Sequence, residues 1–240
     1  MLHEAASALG DLLRPPARLE WNRDHAAIVI QASSPWPTDA PAVALNTLPD
    51  ALVWGDGRIV WVEHLSGGAR GVNAGTLHPR EMAQLLQRFD RSRFFRLARW
   101  YPGSARAADS CRSLSVHLLH ASHEVSAADG AAPRAFTDLY ALVSSGAGAV
   151  GLPYHPTEGL LVASSARRST RGPLPAWDVS ATGLRLDNAV QGAWVDGPAL
   201  EHAWKLVNAR PRDPRVAQGS RAYLLTLQVP DIITWEPRLP

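Results

Sequence analysis

The sequence predicts an α+β fold made of two hairpin-plus-helix units with mainly antiparallel sheets. Three observations carry that reading. Residues 51–63, ALVWGDGRIVWVE, double back as a β-hairpin about Asp56-Gly57. Helices with one apolar face open near Pro79, Pro133 and Pro198. Strands and helices also come in hairpin–helix groups rather than in a long βαβα alternation.

Residues 2–13 are expected to form a short helix that Pro15-Pro16 stops, and residues 25–32 a strand around Ile28-Val29-Ile30. Residues 33–41, SSPWPTDAP, form a connector rich in turn-formers. In the hairpin, a two-residue type I′ turn at Asp56-Gly57 pairs Trp54 with Ile59, Val53 with Val60 and Leu52 with Trp61. One face then carries Leu52, Trp54, Ile59 and Trp61, the other Ala51, Val53, Val60 and Val62. Both faces are apolar, so each needs a cover. Residues 66–75 read as a glycine-rich loop.

The next helix has several agreeing start signals. Pro79 suits its first position, Glu81 its electropositive first turn, and Leu77 can staple onto Met82. Met82, Leu85, Leu86 and Phe89 make its apolar face, which is matched to the valine face of the hairpin. A second hairpin spans residues 113–127 with a turn at Ala121-Ser122, followed by a helix bearing Phe136, Leu139, Tyr140 and Val143. Residues 146–153 mark a boundary. Beyond it come a strand at 160–163, a strand pair within 178–194, a helix from Pro198 with Leu200, Ala203, Trp204 and Val207 on one face, and a strand at 221–229. The chain thus divides into residues 1–45 (helix, strand and Pro-rich connector), 46–150 (a ββαββα unit) and 151–240 (a smaller α+β unit). Leu48-Pro49 and Leu174-Pro175 are each followed by Val and Gly at offsets four and eight, a spacing that duplication and coincidence explain equally well.

With 240 residues, 46% hydrophobic and 19% charged, the chain has the composition of a globular protein. A formal charge of +2, with Lys205 the only lysine, gives no general preference for polyanions. Cys111 is the only cysteine, which excludes an intrachain disulfide and a cysteine-built zinc site. No apolar run is long enough for a membrane span, and no secretory signal opens the sequence, so the expected location is cytoplasmic. The cell envelope or periplasmic face is the alternative if the N-terminus is misassigned, and peripheral membrane association stays open.

Residues 146–151, GAGAVG, match the dinucleotide pattern G-x-G-x-x-G, but a helix precedes them and Pro153 follows, so they read as a linker. His120 and His123 become cross-strand partners if Ala121-Ser122 is the turn, but no third ligand is in view, so no metal is expected. Arg88, Arg91, Arg93, Arg96 and Arg99 interleave with Phe89, Phe94, Phe95, Trp100 and Tyr101, a pattern suited to single-stranded nucleic acid. The favoured reading is a solvated arginine edge around buried aromatics, without nucleic acid. There is no G-x-S-x-G, no H-E-x-x-H and no P-loop.

The strand at Ile28 to Ile30, the Pro-containing connector, Leu48-Pro49, the Gly55-Asp56-Gly57-Arg58 turn and the run through Leu85-Leu86 and Phe94-Phe95 resemble an uncharacterised family of bacterial proteins, often exported or lipid-anchored. The chain departs from it in having no lipobox cysteine near its start. The resemblance implies an envelope-associated, non-enzymatic role. The sequence therefore predicts a non-catalytic, tryptophan-rich accessory or structural subunit that binds another protein, or itself as a homo-oligomer, without a cofactor. Leu52, Trp54, Ile59 and Trp61 are the expected partner interface. The alternatives are a cryptic hydrolase or metal-binding protein using the His120/His123 tip, and a nucleic-acid module through Arg88 to Arg99.

Overall fold

A computed structural model describes residues 19–34, 44–103, 111–167 and 172–232. The helix expected at residues 2–13 and most of the connector at 33–41 lie outside them. The described chain is a mixed α+β fold with two mostly antiparallel sheets.

The larger sheet is built from β1 (Ile28–Ser33), β2 (Ala51–Trp54), β3 (Arg58–His64), β4 (Arg70–Thr76), β5 (Trp100–Tyr101), β6 (Cys111–His117), β7 (Ser122–Ala128) and β8 (Leu152–Pro153). Their order is β5-β7-β6-β1-β2-β3-β4-β8, antiparallel except for β5 beside β7. Helices α1 (Pro79–Arg91) and α2 (Arg134–Ser144) supply the apolar faces expected of them. Met82, Leu86, Phe89, Phe136 and Val143 share one core with Val29, Ile30, Val53 and Leu114. The α1 start is closed by a capping box: Glu81 accepts from the His78 N–H at 2.7 Å, and His78 Nδ1 accepts from the Arg80 N–H at 3.4 Å. Leu77 and Met82, the staple pair, are both buried.

The smaller sheet has the order β10-β9-β12-β11, with β9 (Gly159–Ala166), β10 (Ala193–Val195), β11 (Arg215–Gln218) and β12 (Arg221–Gln228). Residues 178–194 hold only one strand instead of the expected pair. Asp178 caps a single helical turn, α3 (Val179–Thr182), by accepting from the Ser180 and Ala181 N–H groups, and Gly183 ends it at φ +67°. Helix α4 (Gly197–Ala209) places Leu200, Ala203 and Val207 in a second core with Leu161, Tyr223, Leu225 and Leu227.

The first hairpin forms in a register one residue away from expectation. Ala51 opposes Trp61, Leu52 opposes Val60, and Val53 opposes Ile59. The loop has three residues, 55–57, and only Gly57 is left-handed, at φ +91°; its N–H donates to the Trp54 carbonyl at 3.0 Å. Asp56 keeps a negative φ and accepts from the Arg58 N–H at 3.1 Å. A type I′ turn needs positive φ at both central residues, so Gly57 instead fills the left-handed position of a three-residue loop. A one-residue slip exchanges the faces of one strand relative to the other. Ala51, Val53 and Ile59 consequently enter the first core with Trp61 packed against it, whereas Leu52 and Trp54 enter the second with Val60. The helices thus cover a mixed face, not the valine face.

The glycine-rich segment at 66–75 is mostly strand. After a 3-10 turn at Ser66–Gly68, β4 pairs with β3 along its whole length, from Arg58↔Thr76 to His64↔Arg70. Its composition, RGVNAGT, has little intrinsic strand preference, and the exposed ladder of β3 imposes the conformation. The 146–151 loop also has a structural purpose. Cβ atoms at Gly146 and Gly151 would lie 2.9 Å and 2.3 Å from the Trp61 ring, so the two glycines cradle that indole. The buried side chain of Asn46 ties the two sheets. Its amide donates to the Leu225 carbonyl at 2.9 Å and accepts from the Leu227 N–H at 2.8 Å, extending the β12 ladder.

Candidate functional site

The antiparallel order of β6, β1, β2 and β3 brings the exits of β1 and β3 and the entries of β2 and β6 to one end of the large sheet. The last two turns of α2 lie over that end. Between them is a cavity of about 580 Å³ lined by Asp50, Trp61, Glu63, His64, Arg112 and Tyr140, with Ser34, Ser144 and Ser145 at its sides.

Asp50 is its centre. The residue is only 7% exposed and immediately precedes β2, where its carbonyl accepts from the Val62 N–H at 2.9 Å. One carboxylate oxygen accepts from the Tyr140 hydroxyl. The other lies 3.4 Å from His64 Nε2. Burial, the Asp50 charge and this hydrogen bond raise the Tyr140 pKa far above its ordinary 10, so the phenol is a fixed donor. The Ser34 hydroxyl also hydrogen-bonds Tyr140.

Two guanidiniums flank this carboxylate. Arg70 faces His64 across the β3–β4 ladder and donates through Nη1 to the Asn46 carbonyl at 3.1 Å. Burial lowers its pKa to about 10 against the opposing pull of Asp50, which leaves it cationic at neutral pH. Arg112 lies over the Tyr140 ring at 5.5 Å and reaches Asp129 through Nη2 at 3.2 Å. Nε and Nη2 of Arg70 and Nε of Arg112 are buried with no hydrogen-bond partner among the described residues. Chemically, the arrangement places a carboxylate and a phenol beside a cavity. Its carboxylate and phenol are engaged with each other, and the Ser144 and Ser145 hydroxyls donate to the Ala141 and Leu142 carbonyls.

Of the four residues expected at a partner interface, only Trp61 reaches the pocket. Leu52, Trp54 and Ile59 are 2%, 6% and 0% exposed, packed inside the chain's own cores. The β6–β7 loop occupies residues 118–121, so His117 opposes Ser122 and Val116 opposes His123. The expected His120–His123 cross-strand pair therefore does not form. His120 lies 4.0 Å from Glu20, whereas His123 meets the Phe94 ring edge-on at 5.4 Å and its Nε2 is 3.1 Å from the Leu97 carbonyl. Burial, chiefly, lowers the His123 pKa. No group of three or more His, Cys, Asp or Glu among the described residues is placed to hold a metal ion. Cys111 is half-buried, and burial is the main cause raising its thiol pKa. Arg88, Arg91, Arg93, Arg96 and Arg99 are all exposed, but Phe89 and Phe94 are fully buried, which leaves Trp100, 52% exposed, as the open stacking surface of that stretch.

Residues 50, 64, 70, 112 and 140 share no sequence motif; strand register and the packing of α2 on the sheet assemble them. The nearest sequence signal is the symmetric placement of His64 and Arg70 about Ser66–Gly68, legible only once β4 is known to be a strand. Fold and site together define a two-sheet α+β protein with a polar pocket at the open end of its central hairpin. No protein-family model, curated protein or solved structure matches the chain.

Proposed function

We propose that this chain is a non-catalytic binding subunit of a larger bacterial, envelope-associated assembly, and that it docks a partner protein through the outer strand of its smaller sheet. One observation carries the reading. Trp194 sits on β10, which among the described residues pairs only with β9, and is 58% exposed. A large aromatic left in water on an outer strand is an anchor in search of a pocket, and an open strand edge accepts a further strand. The other tryptophan pair considered for this role, Trp54 and Trp61, is engaged within the chain. The outer strands β5 and β8 likewise expose Trp100 and Leu152, at 52% and 71%, which supports edge-mediated assembly. The envelope setting comes from the resemblance of the first half of the chain. Among the described residues no helix is long and apolar enough to cross a membrane.

The test is a photo-crosslinking amino acid in place of Trp194, with the same probe at exposed Glu158 as control. A discrete adduct specific to position 194 is expected, with its mass giving the partner. Equal labelling from both positions would remove the reading, and an adduct with a second copy would make the chain a homo-oligomer.

A further inference from the structure

The arginine edge that follows α1 concentrates positive charge that the overall composition hides. Residues 88–99 hold five arginines against one acid, Asp90, a local charge of +4 in a chain whose total is +2. The rest of the chain is therefore net acidic. All five arginines are exposed, and among the described residues none has an ion pair or a side-chain hydrogen bond. Unpaired cations gathered on one stretch of surface are the footprint of a polyanion.

Local structure explains only part of this run. Arg88 and Arg91 stand in the last turn of α1, where cations complement the helix dipole. Arg93, Arg96 and Arg99 lie beyond the helix and have no such reason. Arg93 holds φ +55°, a left-handed conformation that glycine fills at least cost. What folding needs from the segment is Phe94, buried against Phe89 and His123 with ring centroids 5.0 Å and 5.4 Å away. That anchor fixes where the neighbouring arginines emerge.

The kind of polyanion follows from what the surface lacks. A single-stranded nucleic acid needs open rings for its bases, but Phe89 and Phe94 are 0% exposed, which leaves Trp100 as the exposed ring of the run. Anionic lipid headgroups need only cations spread over an exposed face, each worth about fivefold in membrane partitioning. The planar guanidinium fork also matches phosphate oxygens.

We propose that this edge binds the anionic phosphate headgroups of a bilayer, with Arg93, Arg96 and Arg99 at its centre and Arg88 and Arg91 at its flank, and so holds the protein peripherally on a membrane. Charge and exposure carry the inference, which stands whether or not Trp194 docks a partner.

The experiment is cosedimentation of the full chain with vesicles of phosphatidylcholine, and with vesicles in which roughly a third of the lipid is phosphatidylglycerol. Binding to the phosphatidylglycerol vesicles alone is expected, and salt at roughly 0.5 M should release it by screening. The triple variant Arg93→Gly, Arg96→Gln, Arg99→Gln should bind about a hundredfold more weakly. Glycine suits the positive φ at position 93, and the double variant Arg96→Gln, Arg99→Gln, with an expected loss of about twentyfold, keeps the test decisive if the triple fails to fold. A second triple, Arg185→Gln, Lys205→Gln, Arg210→Gln, removes the same charge from exposed positions elsewhere and should bind within about threefold of wild type. Both triples keep Trp194, so their difference reads the arginine edge and not the docking strand. The proposal is overturned if neither vesicle binds, if both bind equally, or if the second triple loses as much as the first. Displacement of the protein from the vesicles by oligothymidylate would also overturn it, by giving the surface to nucleic acid.

Discussion

The two ends of the β2–β3 hairpin are built on opposite plans. At the closed end the polar groups find partners within a few residues of the turn, in the segment at 21–27 or at Leu77. The Gly55 N–H donates to the Ala27 carbonyl at 2.8 Å, the Gly55 carbonyl accepts from Trp21 Nε1 at 3.0 Å, and the Gly57 carbonyl accepts from the Leu77 N–H at 2.8 Å. Arg58 binds the Asp56 carboxylate through Nε at 2.8 Å and lies over the Trp54 ring at 5.1 Å. At the open end, the buried Asp50 carboxylate meets only Tyr140 and His64, and three guanidinium nitrogens of Arg70 and Arg112 have no hydrogen-bond partner among the described residues. The difference separates two tasks. The closed end sets the register that sends alternate residues into two cores, whereas the open end keeps unspent hydrogen-bonding capacity beside a cavity. Substitutions at the first should therefore cost stability, and substitutions at the second should cost stability less and ligand recognition more.

The largest effect expected is at Gly55. A Cβ there would sit 1.9 Å from the Asn22 carbonyl oxygen and 2.7 Å from that of Asp24, both backbone atoms that cannot rotate away. Gly55→Ala should lower the unfolding free energy by about 3 kcal/mol, read from urea denaturation at constant m-value. A loss below about 1 kcal/mol would show the closed end to be pliable and would dissolve the contrast.

That contrast also marks what the sequence made legible. The helices at Pro79, Pro133 and Pro198 could be read because their signals are local: a proline, a cap and four apolar residues at helical spacing. The strand at Ile28–Ser33 and the last strand could be read from β-branched or alternating runs. Legibility failed where a neighbour overrides local preference. The register of β2 on β3 turns on whether one or two residues of Gly55-Asp56-Gly57 adopt positive φ, and both versions suit the same letters. The strand β4, with two glycines and an asparagine, exists because β3 offers it a ladder. The pocket depends on both, since His64 meets Asp50 and Arg70 only in the observed register. Trp54 and Trp61 both need cover, and it comes from a core shared with residues over a hundred positions away (Leu161 and Leu225 for Trp54) or from the loop at 146–151 (Gly146 and Gly151 for Trp61).

A middle-sized effect is expected at Tyr140, where the open end borders a core. Tyr140→Phe keeps the ring against Phe136 but removes the donor to Asp50, at a cost of about 1–3 kcal/mol. The cost should also depend on pH. Folding raises the pKa of this phenol above the unfolded value near 10, so the stability tied to its neutral form is complete below about pH 10 and is lost as the pH rises beyond it. The gap between wild type and Tyr140→Phe should therefore hold constant below about pH 9 and narrow between about pH 10 and pH 11 in denaturant titrations. A gap that stays constant over that interval would mean the hydroxyl does not carry the interaction.

The smallest stability effect is expected at His64, and it is the sharpest probe of the comparison. Its side chain is 52% exposed, and its contact with Asp50, at 3.4 Å, is long for a hydrogen bond. A pair so open to solvent is screened and adds little, and Asp50 keeps Tyr140 as a donor when the imidazole is gone. His64→Ala should change the unfolding free energy by less than about 0.5 kcal/mol at neutral pH. Gly55→Ala lies at the other end of the same short hairpin, so the pair of measurements removes differences in global context. Near-equal losses would mean that the open end is as structural as the turn, and the unpartnered guanidinium nitrogens of Arg70 and Arg112 would then need explaining as packing rather than recognition. A large loss at Gly55 beside a negligible one at His64 would instead locate the hairpin's stabilising contacts at its turn and leave the Asp50 end free to be specified by what it binds.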